Sequence, residues 1–307
     1  MMKNPYCLLT NDVETTSIWH NSLRDETGKK VLNEGMPILL DIYKKYNIKS
    51  TFFFTGYIAN LYPKIVKMII SDGHEVASHG MSHHKKDSFD LMPLSKQIAH
   101  LKESKKLLED ISGQEVISFR APALTVNYNT VIALEEAEYK IDSSVASQRF
   151  DMFMSFGGLK KLNWLTAPRE PYRASCKNIF AKGKSSILEI PLSATILPYL
   201  GTTMRIFPRL TSLQRKFIKF ESKTTNKPIV FDIHPNEFID ESNEPREFIR
   251  RSNNIISSFL QDTLRSKLKT RNLGRGCGKL YEREINSIRK SKFEFTTIKK
   301  YVKNLKI

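Results

Sequence analysis

Between residue 6 and its C-terminus the chain alternates short apolar runs with segments of helical period about seven times, which restricts its fold more than any other feature. "YCLLTND" (6–12), "KSTFFFTG" (49–56), "HEVASHG" (74–80), "VISFRAP" (116–122), "IDSSVA" (141–146), "SILEIPLS" (186–193), "KPIVFDIHP" (227–235) and "FEFTTI" (293–298) read as strands. Helical patterns fall at 35–47, with Pro37 in the first turn, at 62–73, at 93–113 and at 128–140. Further helices are expected near 211–224, over a long basic stretch at about 244–269, and at the C-terminus. The segment 147–184 is less regular. Such alternation belongs to a parallel α/β protein, either a barrel or a doubly wound sheet. A chain of 307 residues can hold this as one domain with a substantial core.

Both architectures put their working residues at the C-terminal ends of the strands. Polar residues interrupt the apolar runs at those places. Asp12 and Glu14 follow the first strand, His79 and His83 the third, and Arg120 closes the fourth. Asp142 begins the next strand, and His234 follows "IVFDI".

Two histidines four residues apart can aim at one metal ion, but such pairs also arise by chance, and "GMS" between His79 and His83 reads as a turn. "TNDVE" (10–14) sets two carboxylates two apart at a strand end, so both can face one pocket, or both can be solvated acids of a capped turn. Together, two histidines, a carboxylate ligand and a second carboxylate meet the needs of a hydrolytic metal site with a separate base. His74, in "GHE", reads as a structural histidine, His84 as a surface or supporting group, and His100 as an exposed helix residue.

In this order, "TNDVE", "SHGMSHH", "FRAP" and "DIHP" resemble the polysaccharide deacetylase family, the NodB-homology or carbohydrate esterase family 4 enzymes. The resemblance runs over roughly 5–145 and 185–300. It implies a distorted (β/α) barrel of about seven parallel strands with a divalent metal, most simply zinc (Zn2+), at its rim. It assigns Asp12 as catalytic base, His79 and His83 as metal ligands, Arg120 as the group orienting the base, and His234 as general acid. Where the family has a second aspartate this chain has Val13, which cannot coordinate, and the Asp-x-acid spacing of some branches hands that role to Glu14. Asp142 in "KIDSSV" matches a further motif only loosely, and that motif's usual tryptophan is missing. Asp142, with Trp164 and Tyr172 from the irregular stretch, is expected on the substrate side.

The implied reaction removes an acetyl or formyl group from an amino sugar. The N-terminus shows no secretory pattern, no stretch approaches the roughly 20 apolar residues of a membrane span, and the three cysteines fit no disulfide framework. The expected location is therefore cytoplasmic. Residues 1–150 hold 18 basic and 18 acidic groups, so the whole excess of +17 sits in 151–307, which hold 31 and 14. Residues 241–307 alone hold 17 and 7. This basic half is either an ordinary lysine-rich solvated surface or an attractor of polyanions. It suits a polyprenyl-phosphate-linked N-acyl sugar of envelope polysaccharide or lipid A assembly, met at the anionic inner face of a membrane. Three other readings are an allantoinase-like hydrolase of cyclic amides or ureides on the same fold, a non-catalytic glycan-binding module, and a nucleic-acid binder. The second has no use for Asp12, Arg120 and His234 together, and no nucleic-acid partner is expected because no reading motif is present.

Overall fold

A computed structural model describes residues 4–148, 163–245 and 265–305. Among the described residues twelve strands run in chain order: β1 (Tyr6–Val13), β2 (Thr16–Ser17), β3 (Ser22–Leu23), β4 (Thr51–Phe54), β5 (Glu75–Ser78), β6 (Ser118–Phe119), β7 (Ile141–Asp142), β8 (Tyr172–Ser175), β9 (Asn178–Lys182), β10 (Leu188–Glu189), β11 (Ile229–Asp232) and β12 (Glu294–Phe295). The main sheet is ordered β11-β1-β4-β5-β6-β7-β10-β8-β9. Its first seven strands are mutually parallel, and β8 joins antiparallel to β10. Past β10 the chain reaches back to β11: the Ser193 N–H donates to the Val230 carbonyl at 3.0 Å, and the Val230 N–H donates to Ser193 Oγ at 3.0 Å. The sheet thus curls into the expected distorted barrel.

The two faces of the sheet bury different sets of side chains because successive residues of a strand point to opposite sides. Leu8, Phe53, Ala77, Ile117, Ile141, Leu188 and Val230 fill the barrel interior. Cys7, Leu9, Val13, Phe52, Phe54 and Val76 pack outward with the helices. The helix Met36–Tyr46 starts with Pro37, ends on left-handed Asn47, and buries Leu39, Leu40 and Tyr43 against this outer face.

Within the segment read as irregular, β8 and β9 form a hairpin on the sheet edge. The long helix expected at 244–269 falls mostly outside the described residues, of which Arg265–Lys269 is helical. Of the helices that were not foreseen among the described residues, Arg275–Arg289 is the longest. Its buried residues Cys277, Tyr281, Glu284, Ile285 and Ile288 keep a helical period, but glycines at 274, 276 and 278 mask its start. Among the described residues no helix is long and apolar enough to cross a membrane.

His74 is structural, as its context implied. It is buried, and its Nδ1 accepts the Ser50 N–H at 3.0 Å, which requires an unprotonated nitrogen. Burial, aided by the Lys49 charge, lowers its pKa to about 4. Unfolded, the ring takes a proton near pH 6.5; folded, it does not until pH nears 4. Stability from this group is therefore full above pH 6.5 and is lost as pH falls toward 4, by about 3 kcal/mol at most. Urea unfolding across that range should show this limb in the wild type and a flatter one in His74→Asn.

Candidate active site

The site is built where β1, β5, β6 and β11 end. Strand alternation turns Thr10 and Asp12 into the barrel and Val13 out into the helix layer, where it is fully buried. Glu14, two past Asp12, returns to the same side. The coordinating role missing at position 13 is therefore available at 14 for a geometric reason.

Glu14, His79 and His83 each offer a ligand atom, and these atoms lie within 4.8 Å of one another. The His79 ring is buried and its Nδ1 donates to the Arg120 carbonyl at 2.8 Å, because a carbonyl can only accept. This fixes the tautomer and leaves the Nε2 lone pair toward the cluster. Burial is the larger influence on this ring and lowers its pKa, keeping it neutral. Glu14 Oε2 is buried with no hydrogen-bond donor on it, 3.3 Å from His83 Nε2. An orphaned buried carboxylate oxygen beside two imidazole nitrogens is a donor set that fits a divalent cation.

Beside this trio, the guanidinium of Arg120 is fully buried and stacked over the Phe53 ring, 4.3 Å from its centroid. Its Nη1 donates to Asp12 Oδ1 at 2.9 Å, to Asp232 Oδ1 at 2.7 Å and to Thr10 Oγ1 at 2.9 Å. Its Nε and Nη2 hold the backbone carbonyl and hydroxyl of Ser143, each at 3.0 Å. Burial pushes the Asp12 carboxyl upward, but the Arg120, His79 and His234 charges outweigh it and hold Asp12 below its ordinary range. Asp232 goes the other way, raised by burial and by the Asp12 charge.

His234 faces carboxylates on several sides. Its Nδ1 lies 3.4 Å from Glu237 and 3.7 Å from Asp232, and its Nε2 lies 3.9 Å from Glu14. Burial alone would lower this ring, but these acids with Asp12 raise it to about 10. The loop carrying it rests on Gly35: a Cβ there would lie 2.3 Å from the Pro235 carbonyl oxygen.

Glu14 and His83 open onto a cavity of about 590 Å³ bordered by Asn21, Leu23, His84, Lys85, Leu91, Pro122, Ala123 and Lys269. Ala123 and the next residue, Leu124, both have left-handed backbones, at φ 53° and 55°, and so carry strain at the rim.

The structure brings Asp12, Glu14, His79, His83, Arg120 and His234 together, and it does not bring the three substrate-side candidates to the cavity. Asp142 is fully buried and accepts from Ser144 Oγ at 2.7 Å. Trp164 is 2% exposed within the inner core. Tyr172 is 4% exposed and donates to the Ile179 carbonyl at 2.5 Å. All three are buried and none lines this cavity. His100 is partly buried rather than exposed, edge-on to Phe89 and 3.8 Å from Asp87. Asp232 and Glu237 were missed. Asp232 lay inside the "DIHP" stretch, and its pairing with Thr10 across the β1–β11 register was the signal available.

Carboxylates and histidines thus gather at the C-terminal rim of a distorted parallel barrel, the arrangement of the NodB-type fold. Residues 18–141 match the family described as polysaccharide deacetylase. The match takes in His79, His83 and Arg120 and leaves out Asp12, Glu14 and His234. A peptidoglycan deacetylase of Helicobacter pylori is 27% identical over 146 residues, 45% of this chain and 49% of the relative. A peptidoglycan-N-acetylglucosamine deacetylase of Bacillus cereus is 30% identical over 104 residues, 34% of this chain and 47% of the relative. The chain thus spans about half the length of these curated relatives. A solved structure from Mycobacterium smegmatis assigned to the polysaccharide deacetylases superposes with a TM-score of 0.58 at 16% identity, covering 94% of this chain and 85% of that one, which shows a shared fold.

Removing the guanidinium should leave two buried carboxylates unpaired. Arg120→Met is expected to cost about 3–5 kcal/mol, measured by urea unfolding at neutral pH. The double variant Arg120→Met/Asp232→Asn should recover part of that loss.

Proposed function

We propose that this protein is a metal-dependent hydrolase that removes an N-acyl group, acetyl or formyl, from an amino sugar. One observation carries the reading: the Glu14–His79–His83 trio stands beside an aspartate held ionised by Arg120 and a histidine held protonated by its acids. A divalent cation on Glu14, His79 and His83, most simply zinc, would polarise the acyl carbonyl and acidify the attacking water.

Asp12 is the base. Arg120 keeps it ionised and aimed, and it takes the proton from water as the oxygen adds to the acyl carbon. His234 is the acid. It gives its proton to the sugar nitrogen as the C–N bond breaks, so the amine leaves neutral and the acyl group leaves as a carboxylic acid, which then loses its proton to solvent. Glu237 and Asp232 keep that proton on the ring until it is needed.

The finer reading is a substrate on a phosphorylated carrier, such as a polyprenyl-phosphate-linked sugar met at the inner face of a membrane. It is supported by Lys85 and Lys269 on the cavity border and by the basic C-terminal half.

Metal analysis of the purified protein, with Glu14→Ala and His79→Ala alongside, tests the first claim. Near-stoichiometric metal in the wild type and its loss in both variants are expected. Metal retained in Glu14→Ala would move the third ligand elsewhere, and no metal under any loading condition would sink the hydrolase reading. Asp12→Asn should keep the metal while deacetylation of N-acetylated oligosaccharides falls by roughly 10²–10⁴. Turnover of allantoin without turnover of any acylated sugar would favour the cyclic-amide reading instead. For the carrier, Lys85→Ala should raise KM for a phosphate-linked sugar and leave that for the free sugar unchanged.

A further inference from the structure

The helix Pro208–Thr225 turns one side to the barrel, burying Thr211, Gln214, Arg215, Ile218 and Ser222. Its other side is not an ordinary solvated face. Leu210, Leu213, Phe217 and Phe220 stand 46%, 62%, 54% and 68% exposed. Steps of three, four and three residues align them in one stripe along the helix. Scattered apolar residues on a surface need no explanation, but a contiguous stripe of four marks a contact.

Cations border the stripe. Arg209, Lys216 and Lys223, each seven residues from the next, are exposed beside it. The helix holds five basic residues and one acid, Glu221. That acid is already engaged, by Arg169 at 2.5 Å and Lys227 at 2.6 Å. No acidic residue stands among the helix's exposed positions. The loop carrying Ile196, itself 69% exposed, is tied to this helix where Gln214 Nε2 donates to the Leu197 carbonyl at 2.5 Å.

We infer that this face docks on an anionic lipid bilayer, with the leucines and phenylalanines at the boundary between headgroups and acyl chains and the cations on the headgroups. A bilayer offers both an apolar layer and negative charge in the order in which this helix presents their complements. A second copy of the chain is a poorer occupant. Two-fold pairing of this face would set cations opposite cations with no acid to offset them. The contact also lies on elements that connect to the cavity: the preceding helix, Gly201–Ile206, carries Arg205, whose Nη1 holds the carbonyl of Lys269 at 2.7 Å. The inference stands on the helix face alone and is independent of the reaction assigned to the site.

Flotation of the full chain with vesicles of phosphatidylcholine, with and without phosphatidylglycerol, tests it without any activity measurement. The wild type should float with the anionic vesicles and not with the neutral ones. Phe217→Ser/Phe220→Ser, both at exposed positions, should keep the wild-type melting temperature and lower partitioning by more than roughly tenfold. Lys216→Ala should lower it by about fivefold, and the emission of Phe217→Trp should shift to the blue on anionic vesicles. The inference is overturned if the wild type fails to float, or if the double phenylalanine variant floats as well as the wild type. A wild-type dimer that the same variant converts to monomer, with no vesicle binding, would overturn it in favour of a second copy.

Discussion

The guanidinium of Arg120 is the interaction on which the rest of the site depends. It comes from the end of β6, crosses the barrel interior over Phe53, and reaches β1 at Thr10 and Asp12, β11 at Asp232 and the segment after β7 at Ser143. A buried cation is costly unless paired, and here it is matched by two carboxylates and by neutral acceptors around its fork. One side chain thus fixes strands that are remote in sequence, and its charge is the largest of those that hold Asp12 ionised.

The parallel alternation was legible in the sequence because each strand is a short apolar run closed by a helix with its own start and stop. Pro37 opens one helix and Asn47 closes it, and Gly113 closes another, in both cases with a left-handed residue ending the turn. The helix Arg275–Arg289 was hidden because its apolar period begins among glycines, and tertiary burial of Cys277 and Tyr281 overrides the local preference. The strand after "FRAP" was read too long, since only Ile141 and Asp142 pair as a strand and the following serines turn their hydroxyls to neighbouring backbone and side chains.

Site residues were legible where they interrupt an apolar run at a strand end. Glu14 was harder to place, and strand period alone justifies it: position 13 faces the helices, so only 12 and 14 look inward. Asp142, Trp164 and Tyr172 show the limit of that logic. A polar or aromatic residue near the right height of the barrel can still face the core, and a sequence does not display which side of a short two-residue strand is covered. Asp232 went unassigned for the opposite reason. Its purpose appears only when β11 lies beside β1 and the arginine arrives from a third strand.

Gly35 has no chemistry of its own, yet it sets a limit on how this protein can be stabilised. It sits in helical backbone, where alanine would ordinarily gain about 1 kcal/mol. Here the missing methyl is the space that the Pro235 carbonyl occupies, and Pro235 is the neighbour of His234. The chain accepts a weaker helix so that the loop bearing His234 can lie close. A search for thermostable variants guided by helix propensity would choose this position early, and the histidine would move while the fold survived.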